Sequence, residues 1–326
     1  MTNTLPYLQT LRDTFAERLQ VDVPLKRYTA ARIGGNADYM VSVGSSGELI
    51  NAVELLWKSS IPFIILGSGS NVLVSDAGVR GMVIINRTGK VRFNTEKQPP
   101  TVVAESGANL GALARRAANH GLAGLEWAAG IPGTVGGAVY GNAGAHGGDI
   151  AGCLVVAIIL HLKSTNGAGE HEFSPEEWSV DRFDYAYRSS ILKRQPGRYV
   201  VQTAELKLQE STVEAVRANM DEYKTMRQMS QPAGASMGSI FKNPPGDFAG
   251  RLIDAAGLKG AAIGKVEVSR KHANFFINHD SATASDYTAL IQLAQRQVFQ
   301  KFGVMLELEI EQLGDWSGMK GEHGSA

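Results

Sequence analysis

The residues whose types and spacing could do chemistry lie in two glycine-rich stretches. Gly67-Ser-Gly-Ser-Asn71 directly follows the apolar run Pro62–Leu66. Glycine allows positive φ and close backbone approach. Successive N–H groups can then converge on phosphate oxygens, with the serine hydroxyls as further donors. Taken alone, the segment is equally a tight turn between two strands. The second stretch, Gly130–Gly148, reads Gly-Ile-Pro-Gly-Thr-Val-Gly-Gly-Ala-Val-Tyr-Gly-Asn-Ala-Gly-Ala-His-Gly-Gly and carries no Asp, Glu, Lys or Arg. So long a run without charge makes a poor solvated linker. It suits the surface beneath a large flat ligand, and its bland alternative is an irregular core loop. Neither stretch is a Walker A loop, because no Gly-Lys-Ser/Thr follows at the required spacing. Neither carries the Gly-x-Gly-x-x-Gly fingerprint of the Rossmann fold.

The elements that must position these stretches follow from hydrophobic period and capping chemistry. Leu5, Leu8, Leu11, Phe15 and Leu19 recur at steps of three and four and predict an amphipathic N-terminal helix. Asp38–Val43 reads as a strand, and Ser46 caps a helix running to Lys58 with Leu49, Val53 and Leu56 buried. Pro62–Leu66, Val72–Val74 and Gly81–Ile85 are further strands. Polar composition from Val91 to Pro100 marks a boundary, so that residues 1–95 form a first region. A second region, 96–211, contains the strand Thr101–Ala104, the helix Leu110–Asn119, the glycine run, and the strands Cys153–Leu162 and Tyr199–Leu208. A third, 212–314, opens on the capping-box spacing Ser211-Thr-Val-Glu214. It adds a helix to Met229, a loop Gln231–Asn243, a short helix Phe248–Ala256, a strand Phe275–Asn278, a helix Thr283–Phe302 and a strand Val304–Leu313. Residues 315–326 read as a frayed tail.

The bulk composition excludes several classes. Lys plus Arg and Asp plus Glu are each 32, so the net charge is zero and there is no electrostatic footprint for nucleic acid or an anionic membrane. Cys153 is the single cysteine, which rules out an intramolecular disulfide and a thiolate metal cluster. Residues Met1–Gln20 lack the basic start and apolar run of a secretory signal. The expectation is a cytoplasmic chain with no metal and no membrane span, for which an oligomer is not required.

Ordered blocks along the sequence carry a more specific signal. They are Arg32-Ile-Gly-Gly-Asn-Ala37, Leu66–Asp76, Leu125–Gly147, Tyr187-Arg-Ser-Ser190, Gly238-Ser-Ile-Phe-Lys-Asn-Pro244, Ala249-Gly-Arg-Leu-Ile-Asp254, Gly257-Leu-Lys-Gly260, Val268-Ser-Arg-Lys-His-Ala-Asn-Phe275 and Leu306–Gly314. In this order and spacing the chain resembles the UDP-N-acetylenolpyruvoylglucosamine reductases. The resemblance implies an α+β fold: a two-part FAD-binding unit of the vanillyl-alcohol-oxidase (PCMH) type followed by a C-terminal α+β substrate domain. It implies non-covalent FAD, NADPH as co-substrate, and reduction of UDP-N-acetylglucosamine enolpyruvate to UDP-N-acetylmuramate. That reaction belongs to peptidoglycan precursor synthesis, and so to cell-wall biogenesis, cell shape and cell division.

The residue roles are likewise those the resemblance implies. Gly67, Ser68, Gly69, Ser70, Asn71, Ile131, Pro132, Gly133, Thr134, Gly137 and Asn142 fall on the cofactor positions. Arg188 falls on the catalytic arginine, Ser239 on the proton donor and Glu309 on the catalytic glutamate. The chemistry needs such groups, since hydride addition to a carboxylate-conjugated double bond calls for a cation on the carboxylate and a proton for the adjacent carbon. Asn243, Arg227 and Tyr187 are substrate candidates, and Lys242 and Lys259 would add positive potential. His272 has no assigned role. His146 stands where an aromatic is frequent, and Lys265 where glycine is. The segment between Arg188 and Gly238 holds no counterpart of the long tyrosine-bearing loop of one branch, so the resemblance is to the branch without it. A flavin oxidase of the same fold, or a nucleotide-binding module without catalysis, would share the glycine stretches. Neither would need Arg188, Ser239 and Glu309 together.

Overall fold

The computed structural model describes residues 7–164 and 171–317. Leu5 and tail residues 318–326 lie outside the described residues. The chain forms two compact units. Of the described residues, the first comprises those up to Val41, Ser68–Val83 and those from Gln228 to Ser317; the second comprises those of Ser42–Gly67 and Ile84–Arg227.

The second unit is built on a five-stranded antiparallel sheet in the order His171–Ser179, Leu154–Ser164, Tyr199–Lys207, Thr101–Glu105, Val91–Asn94. The last of these, an edge strand, comes from the polar segment read as a boundary. An edge strand has only one paired side, so it can remain polar. Alternation drives one face inward: Val102, Ala104, Ala157, Ile159, Ala204 and Leu206 are all buried. They share a core with Leu110, Leu113, Ala114 and Ala117 of the helix Leu110–Asn119. Asn109 caps that helix by accepting the Ala112 N–H at 2.8 Å. Cys153 is buried in the same core, and burial pushes its thiol up to about 12.

The first unit packs the long helix Ala284–Phe302 and the short helix Ala249–Ala255 around Phe241, Phe276, Tyr287, Leu290 and Ile291. Thr283 and Asp286 form a reciprocal capping box at the start of the long helix. The Asp76 carboxylate accepts the Ala284 and Ser285 N–H groups there, each at 2.8 Å. A three-stranded antiparallel sheet, Ala262–Ile263, Val266–Val268 and Phe276–Asn278, lies in the same unit. Glu311–Leu313 runs parallel to Val72–Val74.

The α+β class is as expected, and several local details differ. The N-terminal helix spans only Leu8–Phe15, because Ala16 turns to φ 47°. The cap of the Ser46–Lys58 helix is Ser45, which accepts the Glu48 N–H at 3.3 Å. Ser46 instead donates to Glu105 Oε1 at 2.8 Å. The helix Val213–Ser230 is capped by Thr212, whose hydroxyl accepts from Ala215 N, while Ser211 N donates to the Gly121 carbonyl. The expected strand Val304–Leu313 is regular only over Glu311–Leu313; before it, Leu308 makes a single bridge to Phe241. The glycine run is not all loop: Val135–Gly141 is helical, because Thr134 caps it and Val135, Ala138 and Val139 bury one face. Among the described residues no helix is long and apolar enough to cross a membrane, and no His, Cys, Asp and Glu side chains cluster as metal ligands.

Candidate active site

Gly67 and the second glycine stretch meet within the second unit. A Cβ on Gly67 would lie 2.4 Å from Thr134 Oγ1, so only glycine lets the Thr134 side chain pack against the main chain there. Thr134 is itself committed, capping its helix through Gly137 N at 3.3 Å. Gly137 and Gly141 are four residues apart and share a helix face. A Cβ on Gly141 would meet nothing within 4 Å, and one on Gly137 only Thr134 Oγ1 at 3.6 Å. Gly130, Pro132, Gly137 and Gly147 are exposed, and Ile131 and Gly133 half-buried. The stretch therefore presents bare, charge-free main chain to its open side.

Ser68–Asn71 belongs to the first unit. Gly69 has φ +58°, and its added Cβ would fall 2.0 Å from the Tyr28 carbonyl oxygen. That carbonyl sits beside the Ala30 N–H, which donates to the Gly69 carbonyl at 2.9 Å, so the turn is clamped as well as tight. Ser68 is exposed and Ser70 half-buried. Asn71 Nδ2 donates to the main-chain oxygen of Glu309 at 3.1 Å, and the Asn71 carbonyl accepts the Glu311 N–H at 2.9 Å.

The same unit pairs the segment that follows Ser239 with the segment that carries Glu309. The Glu309 N–H donates to the Ile240 carbonyl and the Lys242 N–H to the Glu307 carbonyl, each at 2.8 Å. Ser239 itself bridges to Phe275 on the other side. Both candidate catalytic residues are half-buried, whereas Glu307 is exposed. Asn243 is exposed, and its side-chain oxygen accepts the Ala249 N–H at 3.1 Å, at the start of the short helix. Lys242 and Lys259 contribute less potential than expected: they pair with Glu307 at 3.3 Å and Asp254 at 2.6 Å.

Arg188, Tyr187 and Arg227 belong to the second unit. Arg188 has φ +55°, a region non-glycine residues seldom enter. It occupies a turn closed by reciprocal hydrogen bonds of 3.1 Å between Ala186 and Ser189. Four bonds fasten this turn to the glycine stretch. Tyr185 Oη donates to the Val139 carbonyl at 2.9 Å and Ser190 Oγ to the Tyr140 carbonyl at 2.6 Å. Asn142 Nδ2 donates to the Ala186 carbonyl at 3.2 Å and Arg188 Nη2 to the Gly144 carbonyl at 2.8 Å. Asn142 is buried, and its Oδ1 also accepts the Ala151 N–H, so its side chain is spent on this joint. Tyr187 is 55% exposed, with the Arg188 guanidinium 5.7 Å from its ring centre.

Arg227 lies against Gly130, where an added Cβ would be 3.5 Å from its Nε. Burial lowers its affinity for the proton from the ordinary value, and the nearby Arg188 charge lowers it further. A guanidinium nevertheless stays charged. Two cations held close enough to perturb each other make a strong site for an anion. One turn earlier on the same helix Tyr223 stacks on His146, with ring centres 4.3 Å apart at 7°. The unusual residue at 146 thus keeps a ring in that place.

Sequence reasoning missed Asn274, which holds the segment after Ser239, Asp76, which holds the start of the Ala284–Phe302 helix, and Tyr223, which stacks on His146. Asn274 and Asp76 stand inside the ordered sequence blocks, and a buried Asn or a helix-capping Asp has no period to betray it. Tyr223 is found only through its partner.

A match to the FAD-binding domain family covers residues 37–172, and one to the C-terminal domain of UDP-N-acetylenolpyruvoylglucosamine reductase covers residues 229–313. The fold and the glycine-lined surface therefore define a flavin-binding protein. The chain is 45% identical over 294 residues to the UDP-N-acetylenolpyruvoylglucosamine reductase of Rubrobacter xylanophilus, covering 90% of this chain and 95% of that one. It is 41% identical over 295 residues to the enzyme of the same name from Chloroflexus aurantiacus, covering 90% and 96%. The crystal structure of the Thermus caldophilus UDP-N-acetylenolpyruvylglucosamine reductase superposes with a TM-score of 0.73 at 34% identity, covering 90% of this chain and 99% of that one. The chain belongs to the UDP-N-acetylenolpyruvoylglucosamine reductase family.

The residues fit FAD. A flat, uncharged ring system can lie on backbone where Gly137 and Gly141 leave no side chain. The Gly67–Asn71 segment has the glycines and serines from which N–H and hydroxyl donors for a diphosphate can be built.

Proposed function

We propose that this chain reduces UDP-N-acetylglucosamine enolpyruvate to UDP-N-acetylmuramate with NADPH, within the cytoplasm, as a step of peptidoglycan precursor synthesis. Bound FAD would carry hydride from NADPH to the vinyl carbon of the enolpyruvyl ether. In this reading 1–95 and 96–211 hold the cofactor, 212–314 holds the substrate and 315–326 is a tail. Arg188 grips the substrate carboxylate through two parallel hydrogen bonds and holds the charge that builds there. Ser239 gives its hydroxyl proton to the carbon next to that carboxylate, completing the lactyl ether. The Glu309 carboxyl assists in holding the enolised carboxylate. Arg227 and Asn243 take the diphosphate, and Tyr187 borders the substrate.

The observation that carries this reading is the backbone pairing of the segment that follows Ser239 with Glu307–Glu309, in which the Glu309 N–H donates to the Ile240 carbonyl, one residue from Ser239. The positive φ of Arg188, in a turn fastened at four points, supports it, since such strain persists where surrounding structure over-determines it and gathers at functional sites. The segment between Arg188 and Gly238 is taken up by Ile191–Arg194, Tyr199–Lys207 and Val213–Ser230, which supports placing the chain in the branch without the tyrosine-bearing loop.

The test is NADPH oxidation by the purified, yellow protein. It should require UDP-N-acetylglucosamine enolpyruvate and yield UDP-N-acetylmuramate in equal amount. Equal oxidation without that substrate, with oxygen as acceptor, would instead support an oxidase. A colourless protein that cannot be reconstituted with FAD would refute both.

A further inference from the structure

Asn274 is 3% exposed and belongs to none of the proposed cofactor or substrate contacts. Its carboxamide makes a closed pair with the main chain of one residue: Oδ1 accepts the Phe241 N–H at 2.9 Å, and Nδ2 donates to the Phe241 carbonyl at 2.8 Å. Its own main-chain oxygen accepts the Ile240 N–H at 2.9 Å. Three hydrogen bonds from one residue thus hold the two positions that follow Ser239, and the next residue, Phe275, bridges to Ser239 itself.

The other edge of this short segment is bonded to Glu307 and Glu309. Ser239–Lys242 is therefore the middle of three paired segments. It has no regular strand on either side, and the Asn274 side chain stands in for the peptide that a neighbouring strand would supply. Gly238, with φ +79°, immediately precedes the segment, so the chain can reorient there unless something downstream fixes it. Phe241 is fully buried, with its ring centre 6.2 Å from that of Phe276, which anchors its side chain. A packed ring alone leaves the main chain free to shift along it; the paired carboxamide does not.

We infer that Asn274 is a positioning residue for the proton-transfer half of the reaction, setting Ser239 and, through Ile240, the Glu309 backbone in register. The inference rests on the proposed roles of Ser239 and Glu309. Asn274→Asp nearly preserves shape but replaces the Nδ2 donor with an oxygen facing the Phe241 carbonyl. Asn274→Ser is smaller and cannot span both bonds, and it serves if the aspartate variant does not fold.

The experiment is rapid-mixing kinetics of the flavin-loaded variants, read beside Ser239→Ala and beside amide hydrogen exchange of the cofactor-free chain. The expected result is flavin reduction by NADPH within about twofold of the parent and reoxidation by the enolpyruvyl substrate slower by about 10²-fold, the usual cost of misplacing a reacting group by an ångström. Exchange at the Ile240 and Phe241 amides should quicken while the Ala284–Phe302 helix stays protected. Equal loss of both half-reactions, with exchange quickened throughout the unit, would make Asn274 merely structural and overturn the inference. Unchanged reoxidation in the Asn274 variants, with Ser239→Ala slow, would overturn it while leaving the role of Ser239 standing. Unchanged reoxidation in Ser239→Ala would remove the proposed role of Ser239 and the inference with it.

Discussion

The side-chain amide of Asn71 donates to the main-chain oxygen of Glu309 across 3.1 Å, joining residues 238 positions apart. The Glu311 N–H returns the contact to the Asn71 carbonyl at 2.9 Å, and the parallel pairing of Val72–Val74 with Glu311–Leu313 continues it. The last residue of the proposed phosphate loop thus braces the segment that carries the proposed catalytic carboxylate, just ahead of the strand Glu311–Leu313.

Asn71→Ala should cost about 1 kcal/mol of stability, the usual net value of one hydrogen bond. It should also weaken FAD retention, because the loop loses its C-terminal anchor. Urea titration and flavin fluorescence would measure both. A variant that holds FAD as tightly as the parent would remove Asn71 from the loop's binding role.

Gly67→Ala places a methyl 2.4 Å from Thr134 Oγ1 and 2.7 Å from its Cγ2. The expected cost is about 1–3 kcal/mol, typical of overpacking. Thr134→Ala alone should cost about 1 kcal/mol as a lost helix cap. Because the second change removes the atoms the first collides with, the double variant should lose less than the sum of the two. Simple additivity in a double-mutant cycle would mean that the strain lies elsewhere.

Arg188→Lys keeps the charge but gives up the two-pronged grip. Turnover should fall roughly 10- to 100-fold, matching the ~1.5–3 kcal/mol of a hydrogen bond to a charged group. Flavin reduction by NADPH should change little. Steady-state and rapid-mixing kinetics would separate the two effects, and a loss confined to flavin reduction would contradict the assignment.

The architecture was legible in the sequence wherever a period of two or 3.6 ran long enough. Leu110–Asn119 matches its expected bounds, and the long C-terminal helix, expected from Thr283, begins one residue later because Thr283 is its cap. Val304–Leu313 failed because alternation reports burial, not pairing. Leu306 and Ile310 are buried as the pattern implies, yet only the last three residues find a regular partner. The Val135–Gly141 helix was hidden by its glycines, which lower helix propensity although the Thr134 cap and three buried side chains outweigh them. The proposed site residues can be named from blocks in the sequence, Arg227 excepted, which is named from its spacing before Ser239; the bonds that support them are not legible there. Asn274 and Asp76 act by hydrogen bonds to residues 33 and 208 positions away, and Asn142, named as a cofactor position, bonds to a residue 44 positions away, which no local pattern encodes.

Acid stability offers a check on the second unit. Hydrogen bonds from Arg182 and then Trp178 hold the Glu176 carboxyl at about 2, down from 4.5. A carboxyl depressed on folding contributes stability that is present in full above its unfolded value and lost as pH falls through the folded one. Glu176→Gln should therefore be less stable than the parent at neutral pH, with the gap closing as pH falls from about 4.5 towards 2. The site is near the surface, so the gap should be small. Urea midpoints measured across that range would show it, and a gap that widens in acid would contradict the pairing.

The most direct test of the central claim is rapid-mixing spectroscopy of Ser239→Ala loaded with FAD. If Ser239 supplies the proton, NADPH should reduce the flavin at close to the parent rate. Reoxidation by UDP-N-acetylglucosamine enolpyruvate should slow by about 10²–10⁴-fold, the range that a lost general acid implies. Reoxidation at the parent rate, or equal loss of both half-reactions, would contradict the account.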